Sequence, residues 1–133
     1  MSQKSSILTA FNDHFVEFIN DIVNVFPENT DVITGKNSLI LMRKANPSML
    51  IKIWDKNIVS KYSKIIEAGD LSFFMEKDYN DDFSKAGNAN TIMEAIDRIR
   101  EPVKRMTPED QAKTMKYVQN LSKLSTLYHT LPA

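Results

Sequence analysis

The chain has 133 residues, with 17 Lys+Arg balanced against 17 Asp+Glu for a formal net charge of zero. A globular chain of this size buries about 68% of the surface it exposes when unfolded, which is enough for one self-sufficient core. The absence of cysteine excludes a disulfide scaffold, a thiol nucleophile, zinc–cysteine sites and cysteine-ligated iron–sulfur clusters, and balanced charge with a pI near 6.7 argues against a generally nucleic-acid-coating protein.

The first stretch, MSQKSSILTAFNDHF, has apolar residues interrupted by Asn12, Asp13 and His14, so no signal-peptide core forms. No run approaches the roughly 20 apolar residues of a membrane span, and Ser2 stands where myristoylation requires glycine. The expectation is a soluble, intracellular protein with no membrane association. The bias of 13 Ile, 11 Asn and 13 Lys against 4 Arg is that of an AT-rich genome and carries no functional message.

Glycine and proline are sparse, and the stretches between them show helical spacing. Leu8, Phe11, Phe15, Phe18, Ile19, Ile22, Val23 and Phe26 recur at three- and four-residue steps on one face. Ser5 or Ser6 is the expected cap, and Pro27 the stop. A second helix is predicted over 32–45, capped by Thr30 or Asp31 and weakened in its first turn by Gly35. Asn46-Pro47 reads as the cap and first residue of a third helix carrying Leu50, Ile51, Trp54, Ile58, Tyr62, Ile65 and Ile66. A break is expected near Asn57–Ser60, and Gly69 fits a left-handed C-terminal cap. MLIKIW can also be read as a strand, but Pro47 and the later four-residue spacing favour helix.

Residues 71–77 predict one or two helical turns after Asp70, and 78–90 an acidic loop. A helix over 91–100 places Ile92, Met93, Ile96 and Ile99 inward, with Pro102 ending or kinking it. Thr107-Pro108-Glu109-Asp110 combines cap, N1 proline and acidic first turn, opening a last helix over 108–128. Tyr117, Val118, Leu121, Leu124 and Tyr128 share one side of it. The fold expected is all-α, a single compact domain of five or six helices spanning 1–133.

No nucleophile elbow, dinucleotide fingerprint or phosphate loop is present. His14 and His129 lie in different helices; Glu17 stands one turn after His14, but a metal site needs further ligands. The stretch from Asp78 to Ser84 begins like a calcium loop, with Asp78, Asn80 and Asp82 at positions one, three and five. Phe83 replaces the turn glycine and Ala89 the bidentate glutamate, so a standard EF-hand is excluded. Asp78, Asp81 and Asp82 are left as the residues of a weak divalent-cation site. No cofactor and no small-molecule ligand is expected.

Lys52, Lys56, Lys61 and Lys64 concentrate on the third helix beside Trp54 and Tyr62. Such a stripe can bind phosphate backbones or acidic surfaces, or it can be a solvated face with Trp54 packed in the core. Lys113, Lys116 and Lys123 form a weaker row on the last helix. The net zero is itself segregated. Residues 1–35 carry one positive and five negative groups, and 36–68 seven positive and two negative. Residues 69–97 carry two positive and seven negative, and 98–133 seven positive and three negative. These blocks can pair helices within the chain or join complementary faces of two copies.

Several strings resemble a known family. They are Phe15-x-x-Phe18-x-x-Asp21-Ile22-x-x-x-Phe26-Pro27; Lys44-Ala45-Asn46-Pro47-x-x-Leu50-Ile51-Lys52-x-Trp54; Ala68-Gly69-Asp70-x-x-Phe73-Phe74; Ile96-x-x-Ile99-Arg100-x-Pro102; and Leu121-Ser122-Lys123-Leu124-Ser125. Together they resemble a family of small, uncharacterised helical proteins of nucleocytoplasmic large DNA viruses. The resemblance implies a viral protein in the host cell or packaged in the virion, and it carries no activity or site residue. The expected function is a non-enzymatic interaction protein, virion-associated or a minor structural or assembly component, with a protein partner or self-association. The alternative is a nucleic-acid-binding accessory factor using the Lys52–Lys64 face. A metal-dependent hydrolase centred on Asp78, Asp81 and Asp82 ranks last.

Overall fold

The computed structural model describes residues 3–70 and 98–131, and every regular element among them is helical. The all-α expectation holds. Helix α1 spans Gln3–Val25 and buries Phe11, Phe15, Phe18, Ile19 and Ile22 on the stripe read from the sequence. Ser5 and Ser6 do not cap it; they lie inside it. Ile7 and Leu8 pack against the core, and that packing carries the helix back past both serines.

Helix α2 spans Thr30–Ala45. Its cap is Asn29 rather than Thr30 or Asp31: the Asn29 Oδ1 accepts from Asp31 N at 2.9 Å and Val32 N at 3.2 Å. The helix therefore starts two residues earlier than the spacing predicts. The next corner also departs from expectation. Asn46 Oδ1 accepts from the backbone N and hydroxyl of Ser48, and Met49 N bonds to Asn46 O, so Asn46–Met49 closes as a turn. Helix α3 begins at Met49, not Pro47. The Pro47 carbonyl is taken by Asn12, whose Nδ2 donates to it at 2.9 Å and ties α1 to this corner.

Helix α3, Met49–Trp54, continues through a π turn, Asp55–Val59, into α4, Ser60–Glu67. MLIKIW is thus helical. Leu50, Trp54, Ile58 and Ile66 are buried, and Tyr62 packs on the same core. These five residues are spaced four apart. In a 3.6-residue helix each four-residue step drifts by about 40°, so the stripe would wind off the core within the run. The wider π turn, marked by the Ser60 N–H bond to Asp55 O, absorbs that drift. A kink follows at Tyr62, with φ −127° and ψ 15°. Gly69, with φ +77°, ends α4. Its N–H bonds to Ile66 O and that of Asp70 to Ile65 O, satisfying the carbonyls the helix end leaves open.

Residues 98–104 are helical, so Pro102 lies within the helix rather than at its end. Ile99 and Val103 are fully buried on either side of it, and their packing holds the helix through the proline. The turn closes afterwards, with Arg105 N bonded to Pro102 O and Met106 N to Val103 O. Helix α5 spans Pro108–Thr130, capped by the Thr107 hydroxyl accepting from Asp110 N at 3.2 Å. It is the central strut, packing against α1 on one side and against α3, the π turn and α4 on another. Phe11 and Phe15 present ring edges to Trp54 at centroid distances of 6.3 and 5.4 Å, and this aromatic cluster joins α1 to α3.

Candidate partner-binding groove and basic face

The π turn decides what the lysines can do. Because the buried residues repeat every four positions, so does the opposite side, and Lys52, Lys56, Ser60 and Lys64 follow one another along it, all exposed. Lys61 is exposed beside them. Trp54 does not belong to this face. It is 1% exposed, and its Nε1 donates to Ser122 Oγ at 3.1 Å. A ring in that position cannot stack on a nucleotide base. The lysine stripe therefore lacks the indole, and Tyr62, next to Lys61, is half-buried against the core.

Beside the stripe, an open groove of about 570 Å³ separates α4 from the C-terminal half of α5. Val59, Ser63, Ile66 and Glu67 form one wall. Gln119, Lys123, Thr126 and Leu127 form most of the other. One end is tied by Gln119, whose Nε2 donates to Ile66 O at 2.9 Å. Near the other, His129 Nδ1 donates to Ser125 O at 2.8 Å and lies 3.7 Å from Asp55 Oδ1. Leu127, a large apolar side chain in a wall, is 47% exposed. Apart from Ser122 and Lys123, the wall residues of α5 were not singled out in the sequence, since threonine and glutamine on a helix carry no signal of their own and Leu127 lies off the apolar side read for that helix. The only hint was that both walls come from the basic blocks 36–68 and 98–133.

Three of the five acidic residues of 1–35 are paired to basic residues on other helices. Asp13 pairs with Arg43 at 2.6 Å, Asp31 with Arg98 at 3.0 Å and Asp21 with Lys113 at 3.5 Å. Each pair joins the first acidic block to one of the basic blocks, so the segregated charges do meet inside the chain. These pairs are largely exposed, and each orients helices more than it stabilises them.

A second cluster sits where α1 meets α5. His14 Nδ1 lies 3.2 Å from Glu17 Oε2, and the His14 ring packs on Tyr117 at 4.9 Å. The Tyr117 hydroxyl is held above its ordinary range by burial first, then by the carboxylates of Asp21 and Glu17 and its hydrogen bond to Asp21. A 270 Å³ hollow lined by Asp21, Asp110, Lys113 and Tyr117 adjoins it. Among the described residues no three His, Asp or Glu converge on a point that could hold a metal ion. Asp78, Asp81 and Asp82 lie outside the described residues, as do residues 91–97 of the helix expected over 91–100 and the turns expected over 71–77.

The described architecture is thus all-helical, with an open groove between α4 and the C-terminal half of α5. No known protein-family model matches the chain, nor does any curated protein or solved structure. Among the described residues no helix is long and apolar enough to cross a membrane.

Proposed function

We propose that this chain is a non-enzymatic interaction protein that docks a macromolecular partner between α4 and α5. The observation that carries the reading is the 570 Å³ groove, whose wall leaves Leu127 half-exposed on an otherwise well-packed helix. The setting implied by the sequence resemblance is a large DNA virus, where the protein would be virion-associated or a minor structural or assembly component. The test is site-specific photocrosslinking in infected cells. A photoreactive residue at Ser63 or Thr126 is expected to capture one defined protein, and the same residue at Leu41, exposed on α2, is expected to capture none. No capture from the groove, or equal capture from both sites, overturns the reading.

The coherent lysine face supports a second reading, an accessory factor binding nucleic acid through phosphate contacts. Binding to DNA or RNA would then weaken steeply with salt and fall when Lys52, Lys56, Lys61 and Lys64 are changed to Glu. Absence of binding at low salt removes it.

A further inference from the structure

The lysine face of α3 and α4 is a surface distinct from the groove, and it narrows the kind of nucleic acid the chain takes, on the footing of the second reading above. Lys52, Lys56, Ser60 and Lys64 stand four apart with their drift absorbed by the π turn. The three lysines therefore line up along roughly 18 Å of helix instead of winding around it. Arg43, Arg98, Lys104 and Lys113 each pair with a carboxylate. Lys52, Lys56 and Lys64 are exposed and make no ion pair among the described residues. Lys61, beside the row, has an interaction of its own within the chain, so the row rests on the other three. Asp55 and Glu67, the carboxylates of the same run, stand on the side of α5: Asp55 lies 3.7 Å from His129, and Glu67 lines the groove.

The chemistry of the row sorts the polyanions it can hold. Leu50, Ile51, Ile53, Ile58 and Ile66 are buried, and of the run's large apolar side chains only Ile65, near its end, is exposed. An anionic membrane takes an amphipathic helix by its apolar face, and here that face is the protein core. An acidic protein partner needs apolar anchors at the centre of the contact, which a row of Lys, Lys, Ser and Lys does not offer. Single strands are held by successive aromatic rings on which bases stack. Trp54 is buried and Tyr62 half-buried against the core, which leaves no such succession. There is no arginine between Met49 and Glu67 to read a base edge. A rigid array of phosphates needs none of these things, and a duplex presents about one charge per 1.7 Å of its axis.

We infer that Lys52, Lys56 and Lys64 bind the phosphate backbone of a double-stranded nucleic acid without reading its sequence. The π turn contributes by keeping the three cations on one line.

The test uses the full chain with a short DNA duplex, the matching RNA duplex, the DNA single strand, and vesicles of phosphatidylcholine with phosphatidylserine. Either duplex is expected to bind more tightly than the single strand, and comparison of the two names the source. Scrambling the sequence is expected to change nothing. Three phosphate contacts give a slope of log affinity on log salt of about −2.7, a loss of roughly 40-fold between 50 and 200 mM. Lys52→Gln, Lys56→Gln and Lys64→Gln are each expected to lower that slope by about one. Combining Lys56→Gln with Leu41→Lys restores the net charge away from the row, Leu41 being exposed on α2, and is expected to bind no better than Lys56→Gln alone. Unchanged circular dichroism and melting confirm that these surface variants fold. Equal or tighter binding of the single strand, a slope unmoved by the three substitutions, or full recovery with Leu41→Lys overturns the inference. Tighter binding to the vesicles than to either duplex overturns it in favour of a membrane surface. Absence of binding to every nucleic acid at low salt is a separate result, which removes the second reading itself and the inference with it.

Discussion

The indole Nε1 of Trp54 donates to the Ser122 hydroxyl across 68 residues of chain, and both side chains are buried. This bond lets a large ring with a polar edge sit at the seam between α3 and α5. Ser122→Ala keeps the packing nearly unchanged but leaves the indole N–H without a partner, at a cost of about 1–3 kcal/mol. Urea unfolding followed by the fluorescence of the single tryptophan measures it directly. In the native protein that emission is expected to be blue-shifted and shielded from iodide. Ready quenching would place Trp54 on the lysine face instead.

The π turn makes an unusual prediction about deletions. Removing Lys56, which is exposed within Asp55–Val59, changes the apolar spacing from repeated fours to the mixed threes and fours of an ordinary α-helix. The flanking helices α3 and α4 can then keep their orientation, so the deletion is expected to leave a folded protein. Removing Lys123, equally exposed but in the uninterrupted α5, rotates the following turns by about 100°. That moves Ser125 and Tyr128 off the core, and the variant is expected to unfold. Circular dichroism and thermal melting of the two deletions decide the matter; equal tolerance of both would falsify the reading of the π turn as an inserted residue.

The features readable from sequence were those built from neighbouring residues. Thr107-Pro108 and Gly69 act through one or two backbone groups, and both do what their residue types imply. The errors came where packing outweighs a local signal. Pro102 lies inside its helix because Ile99 and Val103 are buried around it, and Ser5 and Ser6 are carried into α1 by the apolar residues that follow. At α2 the error was among equals, since Asn29, Thr30 and Asp31 can all cap and only backbone geometry selects Asn29. The run Leu50, Trp54, Ile58, Tyr62 and Ile66 did hold the π turn in its spacing, although residue types alone suggested only a break. The groove was not legible, because Ser63 and Gln119 acquire meaning only when α4 and α5 are brought side by side.

Gly69 offers a test of the α4 terminus. A Cβ placed there would meet Gln119 Nε2 at 3.8 Å, an ordinary contact, so the cost of Gly69→Ala comes from the backbone alone. A left-handed residue with a Cβ loses about 1–2 kcal/mol. Gly69→Asn is expected to lose less, because asparagine tolerates this conformation. Thermal denaturation of both variants checks the ordering. Equal losses, or none, would mean that α4 does not end in a left-handed cap.

Tyr117 makes the stability of the α1–α5 seam depend on alkaline pH. Burial and the Asp21 and Glu17 carboxylates raise its hydroxyl above the ordinary value of 10.0, so the folded state holds the proton more tightly than the unfolded one. The resulting stability is fully present below pH 10.0 and is lost as pH rises through the higher folded value. Above that, the phenolate would stand beside Asp21 with no proton to share. Tyr117→Phe retains the ring stacked on Phe18 at 5.3 Å but removes the ionisation. Denaturant unfolding at a series of alkaline pH values should therefore show a shallower loss of stability for Tyr117→Phe than for the parent. Absorbance titration should show one of the four tyrosines ionising late in the parent and that step missing in the variant. An identical alkaline loss in both proteins would mean that the hydroxyl does not sit against Asp21, and the polar side of the seam would have to be rebuilt from Lys113 and Asp110.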